Sequence, residues 1–184
     1  NYPRGKTLGG SSSINGLLYI RGQEQDYNTW RQLGNVGWGW DDVLPYFLKA
    51  ENQERGPNKF HGKDGPLYVS DQRIKLDVLD EFMNAAEEVG IPKVNDFNTG
   101  DNFGCGYFQV TVKNGLRCST SVAYLRPIKK RNNLKVETKA HVKDITIKNY
   151  KATGLSYWKN NKLIQVKASK EIILSAGSIG SPHI

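Results

Sequence analysis

Residues 5–28 read GKTLGGSSSINGLLYIRGQEQDYN, a glycine–serine loop that runs directly into an apolar stretch. Gly9 and Gly10 have no Cβ, so the backbone there can approach a ligand closely and adopt positive φ. Ser11 and the two serines that follow add hydroxyl groups to a run of amide N–H donors. A flexible linker is not favoured, because apolar residues bracket the glycines and serines on both sides. The loop therefore predicts a binding site for a phosphate or for a flat cofactor ring.

A family resemblance connects this loop with the far end of the chain. The loop resembles the first signature of the glucose–methanol–choline (GMC) oxidoreductases, flavoenzymes that oxidise alcohols with FAD. The positions that agree with this signature are Gly5, Lys6, Leu8, Gly9, Gly10, Ser11, Ser12, Ile14, Asn15, Tyr19, Gly22 and Asn28. The final segment, ILSAGSIGSPHI, resembles the strand that returns to the flavin and the start of the second family signature. The resemblance spans Arg4 to Ile184.

The resemblance implies a set of FAD contacts. They are Thr7, Gly9, Gly10, Ser11, Asn15, Gly16, Leu17, Leu18, Val142, Ala176 and Gly177. Asn15 and Gly16 would lie beside the isoalloxazine ring, and the backbone of Val142 would touch the adenine end. Some members of the family attach FAD covalently through a histidine just before the signature asparagine. Ile14 occupies that position here, so the resemblance implies FAD that is bound non-covalently.

The implied fold is mixed, α+β or α/β: a partial FAD-binding domain with part of an inserted antiparallel substrate-domain sheet. We predict an FAD-domain segment with the flavin-contact loop and lid at 1–64, a partial substrate-binding segment at 65–116, and an FAD-domain segment with a β-meander and return strand at 117–184. No strand followed by G-x-G-x-x-G, the dinucleotide fingerprint, occurs in the chain. In the family that fingerprint lies upstream and the catalytic histidine lies downstream. We therefore expect an internal piece of a GMC enzyme that is inactive by itself.

The implied chemistry is hydride transfer from an alcohol carbon to the flavin, while a base removes the hydroxyl proton. The segments FHGKDGPLYVSD and GNVGWGWDDVLPYF are most like choline-dehydrogenase-type members. The expected partner is a small-molecule alcohol, and the electron acceptor is left open. Two alternatives also stay open: a non-redox flavoprotein lyase on the same fold, as in the hydroxynitrile lyases, and an inert fragment that cannot bind FAD alone.

None of the three histidines fits the catalytic base. His61 lies in a glycine-rich loop without a neighbouring carboxylate pattern, so we interpret it as structural. His141 lies in a strand context, and His183 falls at a variable position of the second signature. A serine-hydrolase site is excluded because the chain has no G-x-S-x-G elbow. We therefore assign no catalytic residue.

Composition adds limits on function. The net charge of +8 does not indicate nucleic-acid binding, because the lysines of the last third alternate with apolar residues as on solvated strand faces. No apolar run approaches the roughly 20 residues of a membrane-spanning helix. Cys105 and Cys118 show no metal-ligand spacing and are too few to staple 184 residues. They predict no metal site and a reducing, cytoplasmic setting.

Hydrophobic periodicity predicts three helices in the first half of the chain. The first carries Tyr27 and Trp30, and the second opens at Asp41 as its N-cap and buries Val43, Leu44, Phe47 and Leu48. The third runs from Asp77 to Val89 and ends at Gly90. Its predicted buried stripe is Val78, Phe82, Ala86 and Val89. Trp38 and Trp40, between the first two helices, are either packing anchors or part of a lid over the active site.

Strands are predicted at Pro66 to Ser70 and throughout the second half of the chain. Asn114-Gly115 predicts a tight hairpin turn. Ser119 or Ser121 is expected to cap a short helix that Pro127 ends. A five-stranded meander is predicted at Leu134–Thr138, Val142–Lys148, Ala152–Trp158, Leu163–Ala168 and Glu171–Ala176. A new helix is expected to begin at Ser181 and Pro182.

Overall fold

The computed structural model describes all residues, Asn1 to Ile184, in two compact units. The first unit comprises Asn1–Arg131 and the second Asn132–Ile184. The helices are α1 (Glu24–Gln32), α2 (Trp40–Ala50), α3 (Asp77–Glu88) and α4 (Gly177–His183). The strands are β1 (Leu18–Tyr19), β2 (Glu51–Gln53), β3 (Leu67–Val69), β4 (Gln109–Val110), β5 (Val112–Lys113), β6 (Leu116–Arg117), β7 (His141–Lys148), β8 (Lys151–Lys159) and β9 (Lys162–Lys167). Nowhere does the structure contain a helix with the length and hydrophobicity that crossing a membrane requires.

Helix α2 follows the loop that contains Trp38, and its first turn is capped by an acidic side chain. The helix begins at Trp40, and the carboxylate of Asp42 accepts a hydrogen bond of 2.9 Å from the Gly39 N–H. An acidic side chain at the third helical position thus satisfies one of the amide donors that helix formation leaves free. The prediction of Asp41 as the N-cap was wrong, because the capping carboxylate reaches back from inside the first turn. Of the four side chains predicted to be buried, Val43 is buried, whereas the other three, Leu44, Phe47 and Leu48, are half-buried.

Trp38 and Trp40, for which the sequence left two roles open, have different environments. Trp40 is 5% exposed and its ring lies 5.8 Å from the Tyr27 ring, so it packs α2 against α1. Trp38 is 54% exposed, with its ring 6.0 Å from the ring of Trp30. Trp40 is therefore a packing anchor, whereas Trp38 belongs to the surface.

The strands of the first unit pair in short two-stranded sheets. Strands β1 and β4 are antiparallel, and β2 and β3 are parallel. Strand β3 lies within the predicted segment, and Ser70 extends it through a bridge to Val110. Strands β5 and β6 form the predicted hairpin, in which Asn114 has a φ of 51° and Gly115 a φ of 77°. These positive values are those of the tight turn that Asn-Gly favours.

Helix α3 begins at Asp77, as the sequence predicts, and Gly90 follows it at a φ of 88°. Its predicted buried stripe is wrong except at Ala86, which is 8% exposed. Val78 and Phe82 are 70% and 66% exposed. The helical spacing was correct, but no other helix or strand packs extensively on that face. Val89, after the last helical residue, is also exposed.

The second unit is built around the sheet β7-β8-β9, whose neighbouring strands are antiparallel. It confirms the three central strands of the predicted meander. The strands predicted at Leu134–Thr138 and Glu171–Ala176 are wrong, because neither segment finds a partner strand to bond its backbone groups. Ser181 is not an N-cap: α4 already begins at Gly177.

Candidate functional site

The glycine–serine loop folds as one short 3₁₀ turn, Gly10–Ser13, which follows Gly9 in left-handed conformation and whose first residue also has a positive φ. Gly9 has a φ of 91°, and a Cβ there would lie 2.4 Å from Ser13 Oγ, so only glycine fits. Gly10 has a φ of 53°, and nothing lies within 4 Å of where its Cβ would be. Gly9 is therefore required by internal packing, while the space beside Gly10 is open. The carbonyl of the exposed Thr7 accepts the Gly10 N–H at 2.9 Å, which closes the loop.

The serine hydroxyls are engaged within the protein. Ser11 Oγ accepts from the Gly5 N–H at 3.2 Å, and Ser13 Oγ donates to the Leu8 carbonyl at 2.8 Å. Ser12 Oγ donates to the carbonyl of Gly9 and accepts the Thr120 N–H at 2.9 Å. The hydroxyls of Ser12 and Ser13 thus donate to carbonyl groups of the loop itself, whereas the hydroxyl of the exposed Ser11 only accepts and keeps its proton free to donate. The groups left to face a ligand are mostly main chain.

A second segment, Arg117 to Ser121, supports the loop from behind. Thr120 Oγ1 donates to the Gly9 carbonyl at 3.2 Å. Arg117 Nη1 donates to the Asn15 side-chain oxygen at 2.7 Å and to the Ser12 carbonyl at 3.1 Å. Thr120, and neither Ser119 nor Ser121, directly precedes the following helical turn, although Ser119 Oγ accepts the Val122 N–H at 3.4 Å.

That turn is of the π type at Ser121–Leu125 and continues as a 3₁₀ turn, Arg126–Ile128. Pro127 lies inside the second turn rather than directly after a single helix, so the helix does not end where the sequence predicted.

Asn15, Gly16, Leu17 and Leu18 leave the loop with free hydrogen-bond donors. Neither the Asn15 side-chain nitrogen nor the Gly16 N–H has a partner within the chain. Leu17 adopts an unfavourable positive φ of 71° and is held there by Thr111, whose N–H donates to the Leu17 carbonyl at 2.9 Å. Leu18 then pairs with β4 while its side chain stays 53% exposed. The exit of the loop therefore combines two unused donors with exposed apolar surface.

The donor set fits the FAD that the sequence implies. A flavin ring is flat and apolar on its faces and carries oxygen and nitrogen acceptors at its edge. Asn15 and Gly16 offer donors, and Ile14 and Leu18, each 53% exposed, offer apolar contact. Ile14 has no nucleophilic atom with which to form a covalent bond to the cofactor.

Eight of the eleven predicted contacts belong to the first unit, and the remaining three belong to the second. Val142 is on β7, where the register with β8 shifts between Val142 and Asp144. Such an irregularity leaves backbone groups outside the regular ladder. Ala176 is the N-cap of α4, and Gly177 has a φ of 87° with open space around its missing Cβ. All eleven contacts remain predictions.

A buried ionic cluster, which the sequence did not indicate, lies behind β1. His61 is 3% exposed; its Nδ1 lies 3.0 Å from Glu51 Oε2 and its Nε2 lies 2.8 Å from Asp96 Oδ2. Glu51, with no exposed surface, also accepts from Arg21 Nη2 at 2.9 Å. The sequence shows no carboxylate pattern beside His61, because the two carboxylates come from positions 51 and 96 and meet the histidine only in the fold. A structural role for His61 agrees with this environment.

The geometry of the cluster sets the protonation of His61. An ionised carboxylate only accepts hydrogen bonds, so a ring that donates to both Glu51 and Asp96 carries a positive charge. Burial by itself lowers the pKa of His61, but the hydrogen bonds to Asp96 and Glu51 outweigh it and raise the pKa to about 9. Burial raises the pKa of Asp96, yet the hydrogen bond from His61 gives a net lowering. Two cations, Arg21 and His61, thus balance two anions.

The cluster fixes the strand that follows the loop. The Arg21 N–H donates to Asn98 Oδ1 at 2.7 Å, and Asn98 Nδ2 donates to the Tyr19 carbonyl at 3.2 Å. Arg21 Nη1 donates to the Phe60 carbonyl at 2.6 Å. Strand β1 and the Arg21 that follows it are therefore tied to three separate segments of the first unit, around Glu51, Phe60 and Asn98. No group of three His, Cys, Asp or Glu side chains in the structure has the arrangement of a metal site.

Comparison with known proteins gives one family. The family model described as GMC oxidoreductase matches residues 1–184. Among similar proteins, the mitochondrial choline dehydrogenase of Mus musculus is 40% identical over 183 residues, which are 100% of this chain and 31% of that protein. Alcohol dehydrogenase [acceptor] of Pseudomonas putida is 42% identical over 186 residues, covering 100% of this chain and 34% of that protein.

Solved structures agree with this family. An FAD-dependent oxidoreductase from Chaetomium thermophilum is 30% identical and superposes with a TM-score of 0.91, covering 98% of this chain and 34% of that chain. Pyridoxine 4-oxidase from Mesorbium loti is 28% identical with a TM-score of 0.91, covering 97% of this chain and 36% of that chain. The mixed α/β fold is thus shared, and the chain spans about a third of the length of these relatives.

Proposed function

The chain belongs to the GMC oxidoreductase family, and from that membership we propose that the protein is an FAD-dependent oxidoreductase that oxidises the CH–OH group of an alcohol. The observation that carries the proposal is the loop exit, where Asn15 and Gly16 present unpaired donors beside exposed apolar side chains. Relatives named as choline and alcohol dehydrogenases support an alcohol of the choline type as the electron donor.

The residues of this chain serve the cofactor rather than the proton transfer. The chemistry that FAD would supply when bound is a hydride acceptor for the alcohol carbon. Asn15 Nδ2 and the Gly16 N–H would donate hydrogen bonds to the bound cofactor, and Ile14 and Leu18 would exclude water from its ring. His61 is not the catalytic base, because its two nitrogens are committed to Glu51 and Asp96.

The cofactor is proposed to be held without a covalent bond, because Ile14 offers no atom for one. Denaturing the full-length protein with acid and filtering it should release the yellow flavin into the filtrate. Flavin that stays with the precipitated protein would contradict this. A cytoplasmic setting is proposed as well, supported by the two unpaired thiols of Cys105 and Cys118.

The activity is tested by adding choline and other small alcohols to the full-length protein without oxygen and recording the visible flavin absorbance. The expected result is loss of that absorbance on addition of one of the alcohols. Peroxide formation in air would then distinguish an oxidase from a dehydrogenase. Cyanohydrin cleavage without loss of absorbance would replace this proposal with a lyase, and protein without flavin would overturn the cofactor assignment.

The contribution of the loop is tested with Asn15→Ala, which removes the free amide donor. We expect FAD to bind more weakly, by about ten-fold for one lost hydrogen bond to a cofactor. Asn133→Ala, at an exposed position without a side-chain hydrogen bond, is the matched control and should bind FAD like the original protein. The 184 residues expressed alone are proposed to lack flavin, since the family resemblance places the pyrophosphate fingerprint elsewhere.

A further inference from the structure

The side-chain amide of Asn15 has a defined orientation. Its oxygen accepts from Arg117 Nη1 at 2.7 Å and from the Leu17 N–H at 3.2 Å. An arginine guanidinium can only donate hydrogen bonds, and so can a backbone N–H. The oxygen of the amide must therefore face these two groups. The NH₂ end faces the other way, where the chain supplies no acceptor.

Arg117 is itself held in place by the hairpin β5–β6. It pairs in register with Val112, and the neighbouring Cys118 N–H donates to the Thr111 carbonyl at 2.9 Å. Thr111 also holds the carbonyl of Leu17 through both its N–H and its hydroxyl. The two groups that bond the Asn15 oxygen are thus fixed by the same hairpin. Arg117 is half-buried and receives further support from its hydrogen bond to the Ser12 carbonyl.

We propose that Arg117 is a positioning residue: it turns the Asn15 amide so that the NH₂ group, and not the oxygen, faces the cofactor. This proposal rests on the proposed function, since FAD is the ligand that Asn15 meets. The two ends of an amide are nearly equal in shape but opposite in hydrogen bonding. Without a donor behind it, the amide can rotate and present an oxygen to the acceptors of the flavin edge. Because Arg117 fixes the Asn15 rotamer before FAD binds, the entropic cost of ordering this side chain does not reduce the binding free energy.

Arg117→Met in the full-length protein removes the donor and keeps a side chain of similar length. The expected result is FAD binding weaker by about ten-fold, as for loss of one hydrogen bond, with a shifted visible flavin spectrum. Arg126→Met is the matched control, because the Arg126 side chain is exposed and makes no hydrogen bond or ion pair. Its FAD affinity and spectrum should not change. Arg117→Lys, which keeps a donor, should recover part of the lost affinity.

A double-mutant cycle separates positioning from a general effect on the fold. If Arg117 acts through Asn15, Arg117→Met should cause little further loss of FAD affinity once Asn15 is already alanine. Equal losses in both backgrounds would overturn the proposal, and so would unchanged affinity in Arg117→Met alone. A purely structural role would also lower the melting temperature of the apoprotein, which we expect to stay within a few degrees of the original.

Failure of this proposal is distinguishable from failure of the proposed function. If the original protein binds no FAD, the proposed function fails and Arg117 has no cofactor to serve. If the original protein binds FAD and Arg117→Met binds it equally well, only the positioning role of Arg117 is refuted.

Discussion

The protonated state of His61 predicts a loss of stability in alkaline solution. In the folded protein its pKa is about 9, against 6.5 for an ordinary histidine. Below pH 6.5 the proton is bound in both the folded and the unfolded chain, so the cluster contributes fully to stability. Above that pH the unfolded chain releases its proton first, and the contribution falls until it is lost as the pH passes about 9.

The size of the effect follows from the two pKa values. At about 1.36 kcal/mol for each pH unit, the difference between 6.5 and about 9 corresponds to about 3 kcal/mol. His61 is almost fully buried, so solvent screening reduces this only modestly. The deprotonated cluster holds two carboxylates against the single charge of Arg21, which is the physical origin of the loss.

The assay compares the original protein with His61→Gln in urea unfolding at several pH values between 6 and 10. Tryptophan fluorescence is a suitable signal, because three of the four tryptophans lie in the same unit as His61. Only the difference between the two proteins is interpreted, so that the titration of other groups cancels. The advantage of the original protein should shrink by about 3 kcal/mol over this range.

An exposed histidine supplies the control. His141→Gln should change the free energy of unfolding by no more than about 0.5 kcal/mol, as is usual for a surface substitution. A difference between the original protein and His61→Gln that stays constant from pH 6 to 10 would refute the reasoning. So would an NMR spectrum at pH 7.5 in which one of the His61 ring nitrogens carries no proton.

Two further predictions concern the packing of the first unit, and both are checked by urea unfolding at neutral pH. Arg21→Met should lower the free energy of unfolding by about 3 to 5 kcal/mol, because it leaves the buried Glu51 with too little positive charge. Arg55→Met is the control: its ion pair is about half exposed, so the loss should be less than about 1 kcal/mol. Equal losses in the two variants would contradict the role of burial. Gly9→Ala should lower the free energy of unfolding by about 2 to 4 kcal/mol, and Gly34→Ala by about 1 kcal/mol. Both glycines have positive φ, but only Gly9 also lacks room for a Cβ. Similar losses would show that the loop relaxes around the added methyl group.

Local sequence patterns predicted those parts of the fold that depend on local interactions. The hairpin turn at Asn114-Gly115 and the start of α3 at Asp77 follow from turn chemistry and periodicity, and both are present. The buried stripe of α3 failed because burial depends on what packs against the helix, which periodicity does not specify. The two outer strands of the meander failed for the same reason, since a strand needs a partner that its own sequence does not supply.

In the candidate site too, the sequence predicted the local feature and missed the one that depends on distant residues. The glycine–serine pattern located the loop, and the structure shows why Gly9 is required there. The ionic cluster could not be predicted, because Glu51, His61 and Asp96 are separated by 10 and 35 positions and no spacing rule relates them. The histidine in a glycine-rich loop was the single local signal, and it did not identify its partners.

Two polar networks of the first unit fix the candidate site, one around the glycine–serine loop and one around Arg21. Behind the loop, the serine hydroxyls and Thr120 satisfy the backbone that a glycine-rich turn leaves unpaired. Behind β1, Arg21 and its carboxylate partner fix the strand that carries Leu18 away from the loop. A site that binds through backbone N–H groups cannot adapt by changing rotamers, so its donors must be placed by the fold itself. Side-chain polar groups are therefore used mainly for internal support, and the entropy of ordering the loop is lost during folding rather than during cofactor binding.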